Sequence, residues 1–556
     1  MKSLKPLIIL LCCVIVACTS SKSMIQKPQI ITTTFAKNQP LTEIEKQNWH
    51  FKDIIEDSIP GISLDKAYNE FLKNKKGDTI IVALLDNRID RSHEDIKESI
   101  WINKNEIPNN NIDDDANGYI DDINGWNFLG NTKGENVDRA TFETTRIVRK
   151  YKDVFKAKEL KDIPDSLKKE FILFMKAEQL YNDNINLIKE RLDMIESLEK
   201  RTNDAYTYLS GIYPDSLLSG KNIIKLSSKD SITNRMISNY SYYLKYSDWT
   251  SRTRKQIDRY FTIYLGLNYE ERSKIGDNAD SIEDTDYGNG NINASKSSTH
   301  NHAIKVAGVL GANRKNNLGI KGVSNALKIM PVCTSPSGDE QDKDITLGIK
   351  YAVDNGASII IMTFTKFLVQ REDWLVDAIK YAAKNDVLIV LSAGNSSSNS
   401  DIEKTFPNDY FLDKKEYVNN VIVVGGVTNL LNEKLVADFS NYGKESVDIF
   451  APSEKIYTTK RNNSYGFESG TSVSAPIVAG IATLIRSYYP NLTAAEVKQI
   501  IMESGISLDI MVNKPSTSEE KELVPFSSLS KSGKIVNAYN ALLMAEEVSK
   551  KKKRKK

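Results

Sequence analysis

The sequence predicts a doubly wound α/β fold with a mostly parallel sheet, interrupted by a large helical insertion. Three observations carry this reading. Short, mainly apolar runs at 79–85, 327–332, 358–362, 387–391 and 421–424 have the pattern of strands buried on both faces. Helical periodicity fills the intervals, as at 343–355 and 374–385, and such alternation builds parallel sheets. From about 131 to 295 the alternation stops, and the chain becomes rich in Lys, Glu, Asp, Asn and Tyr with helical patterning.

Taken in order, the chain opens with Met-Lys-Ser-Leu-Lys and the apolar stretch Pro6 to Ala17. A basic start and an apolar run too short to cross a bilayer read as a signal peptide, residues 1–17. Ile15-Val16-Ala17-Cys18 resembles a bacterial lipobox, which implies that Cys18 becomes the lipidated first residue. The expected location is the cell envelope, on the outer membrane facing the periplasm, with the cell surface as the alternative. Residues 18–40 are polar and read as a flexible tether. Residues 41–130 form the first part of the α/β domain and 296–545 the second. Within the insertion, Ile185, Ile188, Leu192 and Ile195 recur at 3-4-3 spacing. A stripe this short predicts a helical hairpin packed on itself rather than an oligomer, so the chain is expected to be monomeric. Residues 277–298 are polar and glycine-bearing, and read as the loop that returns to the sheet.

Composition excludes some classes. The 556 residues are 40% hydrophobic and 27% charged, ordinary for a globular protein. The formal charge of +2 hides an asymmetry. Lys550 to Lys556 and the two lysines of the signal segment are basic, and the remaining body carries about seven excess acids. A nucleic-acid-binding body is not expected. The basic end, 546–556, reads as a solvated tail, or as a contact for anionic lipid headgroups beside a lipid anchor. Of four cysteines, only Cys333 lies beyond position 18, so the mature chain is expected to have no intrachain disulfide.

The residues that carry chemistry are few. Gly470-Thr471-Ser472, followed by small residues, Pro476 and an apolar helical run, puts the Ser472 hydroxyl at a helix start. There the helix dipole and free backbone N–H groups favour developing negative charge. Asp86 ends the first buried strand, at the edge where α/β folds place their sites. Only His50, His93, His300 and His302 could serve as a histidine base. Asn395 follows a buried strand in Ala393-Gly394-Asn395, and its amide could donate to an oxyanion.

Together these residues resemble the subtilisin-like serine peptidases (subtilases). Glu468 to Gly480 is similar to the family's Gly-Thr-Ser-Met-Ala-[Ser/Ala]-Pro-x-Val-Ala-Gly, and Val306-Ala307-Gly308 to the end of its His-Gly-Thr-His-Val-Ala-Gly. That register puts His302 at the histidine position and His300 outside it. Further similarity lies in Ala437 to Gly443 and in Val447 to Pro452. The resemblance implies peptide hydrolysis with protein or peptide substrates and no cofactor for catalysis. Ser472 would attack, His302 would move the proton, Asp86 would orient His302, and Asn395 would help hold the oxyanion. It also implies that Thr363, Phe364 and Thr365 form the substrate-binding strand.

Three departures touch this setting. The family's Asp-[Ser/Thr]-Gly is Asp86-Asn87-Arg88, its His-Gly-Thr-His is His302-Ala303-Ile304-Lys305, and its Ser-x-Gly is Thr363-Phe364-Thr365. A threonine where the family has glycine is expected to narrow or block the primary pocket. A weakened or inactive homologue, acting as a cell-envelope binding or scaffold protein, is therefore the rival expectation. A third makes the insertion a lid. Finally, Asp113-x-Asp115-x-Asn117-Gly118 resembles the start of a calcium loop, with Asp121 as a further oxygen donor and a structural Ca2+ as the expected occupant. An acidic surface turn is the alternative.

Overall fold

The computed structural model describes residues 30–31, 37, 40–220, 222–294, 301–410 and 415–555. The expected signal peptide and Cys18 lie outside the described residues, as do His300 and most of the tether.

Six parallel strands form the heart of one sheet: Ile80–Asp86 (β1), Leu327–Cys333 (β2), Ile359–Met362 (β3), Leu388–Ser392 (β4), Val421–Val427 (β5) and Ile449–Pro452 (β6). Their order across the sheet is β6-β5-β4-β3-β1-β2. The short strand Trp126–Asn127 pairs with β2. Lys534–Ile535, Ile506–Leu508 and Ile30–Ile31 extend the other side. The chain leaves β1 for β2 on one side and returns through β3 on the other, so β1 sits where the winding reverses. In such sheets the crevice at the carboxyl ends of the strands is where ligands bind. Register puts Asp86 opposite Cys333, and Leu85 opposite Met362.

Both faces of the sheet are covered, which explains the unbroken apolar strands. One face carries Val82, Leu84, Ile329, Ile361 and Val390, packed with the helices His302–Gly311 and Thr471–Tyr488 through Val306, Val473 and Ile477. The other carries Ala83, Leu85, Val332, Ile360 and Leu391, under the helices Asp342–Asp354 and Glu372–Lys384. Thr493 and Glu496 form the reciprocal cap of the helix Ala494–Ser504. The polybasic end is the last part of a helix, Ala538–Lys555, and Lys552 there pairs with Glu496 at 2.6 Å. Among the described residues no helix is long and apolar enough to cross a membrane.

Between the Trp126–Asn127 strand and the helix that begins at His302, the chain is mostly helical. A helix at Glu143–Phe155 is followed by a 43-residue helix, Lys168–Ser210, which pairs with Ser231–Arg259. The isoleucine stripe faces that partner: Ile188 and Ile195 are buried with Ile257 and Leu265, and Ile185 and Leu192 pack beside them.

Two buried ion clusters root this helical region on the sheet domain. In the first, Lys366 Nζ donates to Glu143 Oε2 at 2.9 Å and to Asp342 Oδ1 at 2.7 Å. Arg146 pairs with Glu143 and donates to the carbonyls of Thr141, Asp339 and Glu340. In the second, Arg272 forms a two-pronged pair with Asp344 at 2.8 and 2.9 Å. Asp277 bridges Arg272 and Lys343 there.

Candidate active site

Asp86 closes β1 and is 2% exposed. Its Oδ1 accepts from the Asn87 N–H at 2.7 Å. Its Oδ2 accepts from the Thr363 hydroxyl at 3.0 Å and meets His302 Nδ1 at 2.7 Å. The carboxylate is thus aimed by three groups from three parts of the chain. Thr363 leaves the end of β3, the neighbour of β1, and turns its hydroxyl onto Asp86. Asn87 has a second contact, because its Oδ1 accepts from the Ala303 N–H at 3.2 Å at the start of the histidine-bearing helix.

His302 is the first residue of its helix, and its side chain is 37% exposed. That opening leaves Nε2 reachable while Nδ1 is held. Desolvation works to lower its pKa, but the Asp86 carboxylate, by charge and by hydrogen bond, outweighs it, so the pKa lies above the ordinary 6.5. The altered residues after His302 are accommodated. Ala303 and Ile304 are buried in the core. Thr459 and Thr458 donate to the Ile304 and Lys305 carbonyls at 2.6 and 2.7 Å, and Lys305 pairs with Glu468 at 2.6 Å.

Ser472 is the second residue of the Thr471–Tyr488 helix and is 8% exposed. Its N–H lies in the first turn, where no intrahelical acceptor exists. Asn395 is held by its oxygen, since Oδ1 accepts from Thr471 N–H at 2.8 Å and from Thr471 Oγ1 at 3.0 Å. The amide nitrogen is left to donate. A Cβ placed on Gly470 would lie 3.2 Å from Ser472 Oγ and 3.4 Å from Asn395 Nδ2. The two groups therefore face one hollow, kept open by a glycine at φ +146°. The structure brings Asp86 and His302 into contact, and Ser472 and Asn395 to a common space. Among the described residues no hydrogen bond joins Ser472 Oγ to His302.

The three residues read as a substrate strand separate. Thr363 is engaged with Asp86, and Phe364 packs against the core. Thr365 stands by the Ala-Gly-Asn turn: a Cβ on Gly394 would meet Thr365 Oγ1 at 3.0 Å and Asn441 Nδ2 at 2.5 Å. Thr365 thus takes up space directly before Asn395.

The acidic loop is preformed. Glu106, Asp113 and Asp115 each offer a carboxylate oxygen, all within 4.8 Å of one another. Asp113 accepts from the N–H groups of Asn117 and Gly118, at 3.0 and 2.7 Å. Asp121 Oδ1 is buried with no hydrogen-bond partner. Asn117 is less available, because its Oδ1 accepts from Tyr119 N–H at 2.8 Å. Spacing alone does not reveal Glu106, which is brought in by hydrogen bonds from the Asp114 and Asp121 N–H groups. Three carboxylates this close together, with the unpartnered Asp121 Oδ1 in the same loop, fit a hard cation.

A family model described as the subtilase family matches residues 77–524, more than half of the chain. The chain belongs to the subtilase family. This subtilase is 36% identical over 218 residues to the major intracellular serine protease of Bacillus subtilis (strain 168), covering 38% of this chain and 64% of that one. It is 30% identical over 230 residues to subtilisin-like protease 3 of Plasmodium falciparum (isolate 3D7), covering 39% and 29%. The chain therefore spans less than two thirds of either relative. A solved protease structure from Pseudoalteromonas arctica PAMC 21717 aligns with a TM-score of 0.37 at 25% identity, over 48% of this chain and 81% of that one.

Proposed function

We propose that this subtilase is a serine endopeptidase. The observation that carries the reading is the 2.7 Å contact of His302 Nδ1 with Asp86, at the sheet edge where Ser472 and Asn395 share a hollow. Ser472 Oγ attacks the scissile carbonyl as His302 Nε2 takes its proton. Asp86 fixes the tautomer and stabilises the imidazolium. Asn395 Nδ2 and the Ser472 N–H receive the developing oxyanion. His302 then protonates the leaving amine, and water repeats the cycle on the acyl-enzyme. The Bacillus and Plasmodium relatives are themselves called proteases, which supports the reading.

Thr365 favours one qualification. With its side chain against Gly394, the primary pocket accepts small side chains best. The rival, a non-catalytic binding protein, rests on the same residue. Labelling of purified protein by a fluorophosphonate probe, beside Ser472→Ala and His302→Ala, separates them. Labelling of wild type alone supports the peptidase. No labelling of a folded protein supports the binding protein.

Two further assignments belong to this reading. Glu106, Asp113, Asp115 and Asp121 would hold a structural Ca2+, which would neutralise the clustered carboxylates; the melting temperature should then fall on adding a chelator and return with Ca2+. Cys18 would carry lipid and tether the protein to the outer membrane, with the helical region inserted between two parts of the peptidase domain and reaching away from the sheet. Incorporation of radiolabelled palmitate, lost in Cys18→Ser, tests the anchor.

A further inference from the structure

A cavity of about 520 Å³ lies where the helical region meets the loop after β2. Arg252, Lys255 and Arg259 line it, about one helical turn apart along the end of the Ser231–Arg259 helix. No carboxylate lines it, and among the described residues none of these three cations forms an ion pair. Arg252 donates only to the Asp248 carbonyl, at 3.1 Å. This contrasts with Arg254 on the same helix, which faces Glu199 at 2.6 Å. Three unpaired cations in one concavity maintain a positive potential that water and salt weaken but do not cancel.

The wall opposite is aromatic and held in place. Phe142 stacks on Tyr264 with centroids 5.3 Å apart, and its N–H donates to the Tyr264 carbonyl at 3.0 Å. Tyr264 OH shares a 2.8 Å hydrogen bond with Ser337. The helix leaves its α geometry just here, in a π turn at Tyr260–Tyr264, a distortion that often accompanies binding sites. The loop that lines the cavity leads back to Asp86. Ser337 and Gly338 line it, and the Thr334 and Ser335 N–H groups donate to the Asp86 carbonyl at 3.0 and 3.2 Å. Two residues of chain reach at most about 7 Å, so Ser337 lies within roughly 10 Å of the Asp86 carbonyl.

We infer that this cavity is a subsite for an acidic side chain of a bound peptide, a few residues from the bond placed at Ser472. The inference rests on the peptidase reading for the cleavage step alone, not for the binding. A peptide laid along the sheet edge passes the loop at Ser337. A glutamate or aspartate there reaches the three cations, while its aliphatic stem packs on Tyr260 and Tyr264. The helical region thereby selects substrates by charge, in addition to the selection by size at Thr365.

The test uses the full chain carrying Ser472→Ala, in detergent, and two fluorescein-labelled peptides identical except for a Glu-Glu or a Gln-Gln pair. Fluorescence anisotropy should show the Glu peptide binding about tenfold more tightly at low salt, as a few exposed charge pairs would give. Adding R252Q, K255Q and R259Q together should remove that preference and leave the affinity for the Gln peptide unchanged. Equal binding of the two peptides, or a preference that survives the triple substitution, overturns the inference. Cleavage by the Ser472-containing protein separates the two readings. Acid-selective binding by a protein that cleaves neither peptide supports the subsite and overturns the peptidase. Cleavage of both peptides at equal kcat/KM overturns the subsite alone.

Discussion

The sheet domain and the helical hairpin are built on opposite plans. Around β1 to β6 the strands are buried on both faces by two large apolar clusters, and the candidate catalytic side chains stand on strand ends and helix starts. The hairpin of Lys168–Ser210 and Ser231–Arg259 has only small clusters, such as Ile188, Ile195, Ile257 and Leu265. Leu187, Met194, Tyr242 and Trp249 lie exposed along it. Its attachment adds two buried ion clusters to a small apolar contact, in which Leu368 packs with Ile147, Val148 and Ala177. The lesson is a division of labour. A packed scaffold fixes atoms to the tolerance chemistry needs, whereas a lightly packed arm can vary its surface at little cost to the fold.

The sharpest way to break this comparison is to alter each part in turn. Ser472→Ala or His302→Ala should lower kcat/KM on a peptide by at least about a thousandfold, Ser472→Ala without moving the melting temperature. Trp249→Ala, on the exposed hairpin, should move neither; a large loss of activity there would merge the two regions. Asn395→Ala should lower kcat by about a hundredfold with KM little changed, because its amide acts on the transition state.

Next in size is the junction. Lys366→Met leaves Asp342 buried without its lysine and Glu143 with Arg146 alone, and should cost about 3 kcal/mol in urea unfolding. Burial alone would raise the Glu143 pKa, yet Arg146 and Lys366 hold it well below the usual carboxylate range. Its contribution to stability is therefore present above the ordinary carboxylate pKa and is lost as acid titrates it, so Lys366→Met should flatten the acid side of the stability profile. A smaller effect is expected at Thr365→Gly, about tenfold in kcat/KM for a bulky side chain at the cleaved bond relative to alanine. The smallest is a shape. His302 must be neutral to act, and Asp86 raises its pKa, so activity should rise with pH through a midpoint above 6.5. The stability from the charged His302–Asp86 pair runs the other way, full below 6.5 and lost as pH climbs through that midpoint. Thr363→Val, removing one hydrogen bond to Asp86, should shift the kinetic midpoint without abolishing activity.

Much of the sheet was legible because a strand buried on both faces writes itself as an apolar run. The expected 327–332 and 358–362 differ from β2 and β3 by a residue at one end, and 387–391 is offset from β4 by a single residue. Asp86 was read from the polar end of such a run and Ser472 from a helix start, whereas His302 was read from the register of Val306-Ala307-Gly308 and Asn395 from the Ala393-Gly394-Asn395 turn. Other features rest on partners distant in the chain. The Thr363 hydroxyl finds Asp86 across 277 positions, and Lys366 finds Glu143 across 223. No local pattern reports such meetings. The hairpin's helices were legible as helices, but not their lengths, since a polar segment with a short isoleucine stripe does not mark where a 43-residue helix ends. The three cations of the cavity were hidden for the same reason: Arg252, Lys255 and Arg259 look like any solvated helix face until Ser337 and Tyr264 close the other side.

The two ion clusters at the junction also impose an order of assembly. Glu143, Arg146, Arg272 and Asp277 are synthesised before Asp342, Lys343, Asp344 and Lys366, the charges that complete them. Until β2 and β3 are in place, the helical arm has only its own pairs, Glu143 with Arg146 and Asp277 with Arg272, and lacks the partners that let its root be buried. The arm can coil early but cannot dock early. Closing contacts between residues so far apart in the chain is slow, so docking of the arm should be a late, cooperative step in folding that also seats the segment from Thr363 to Lys366.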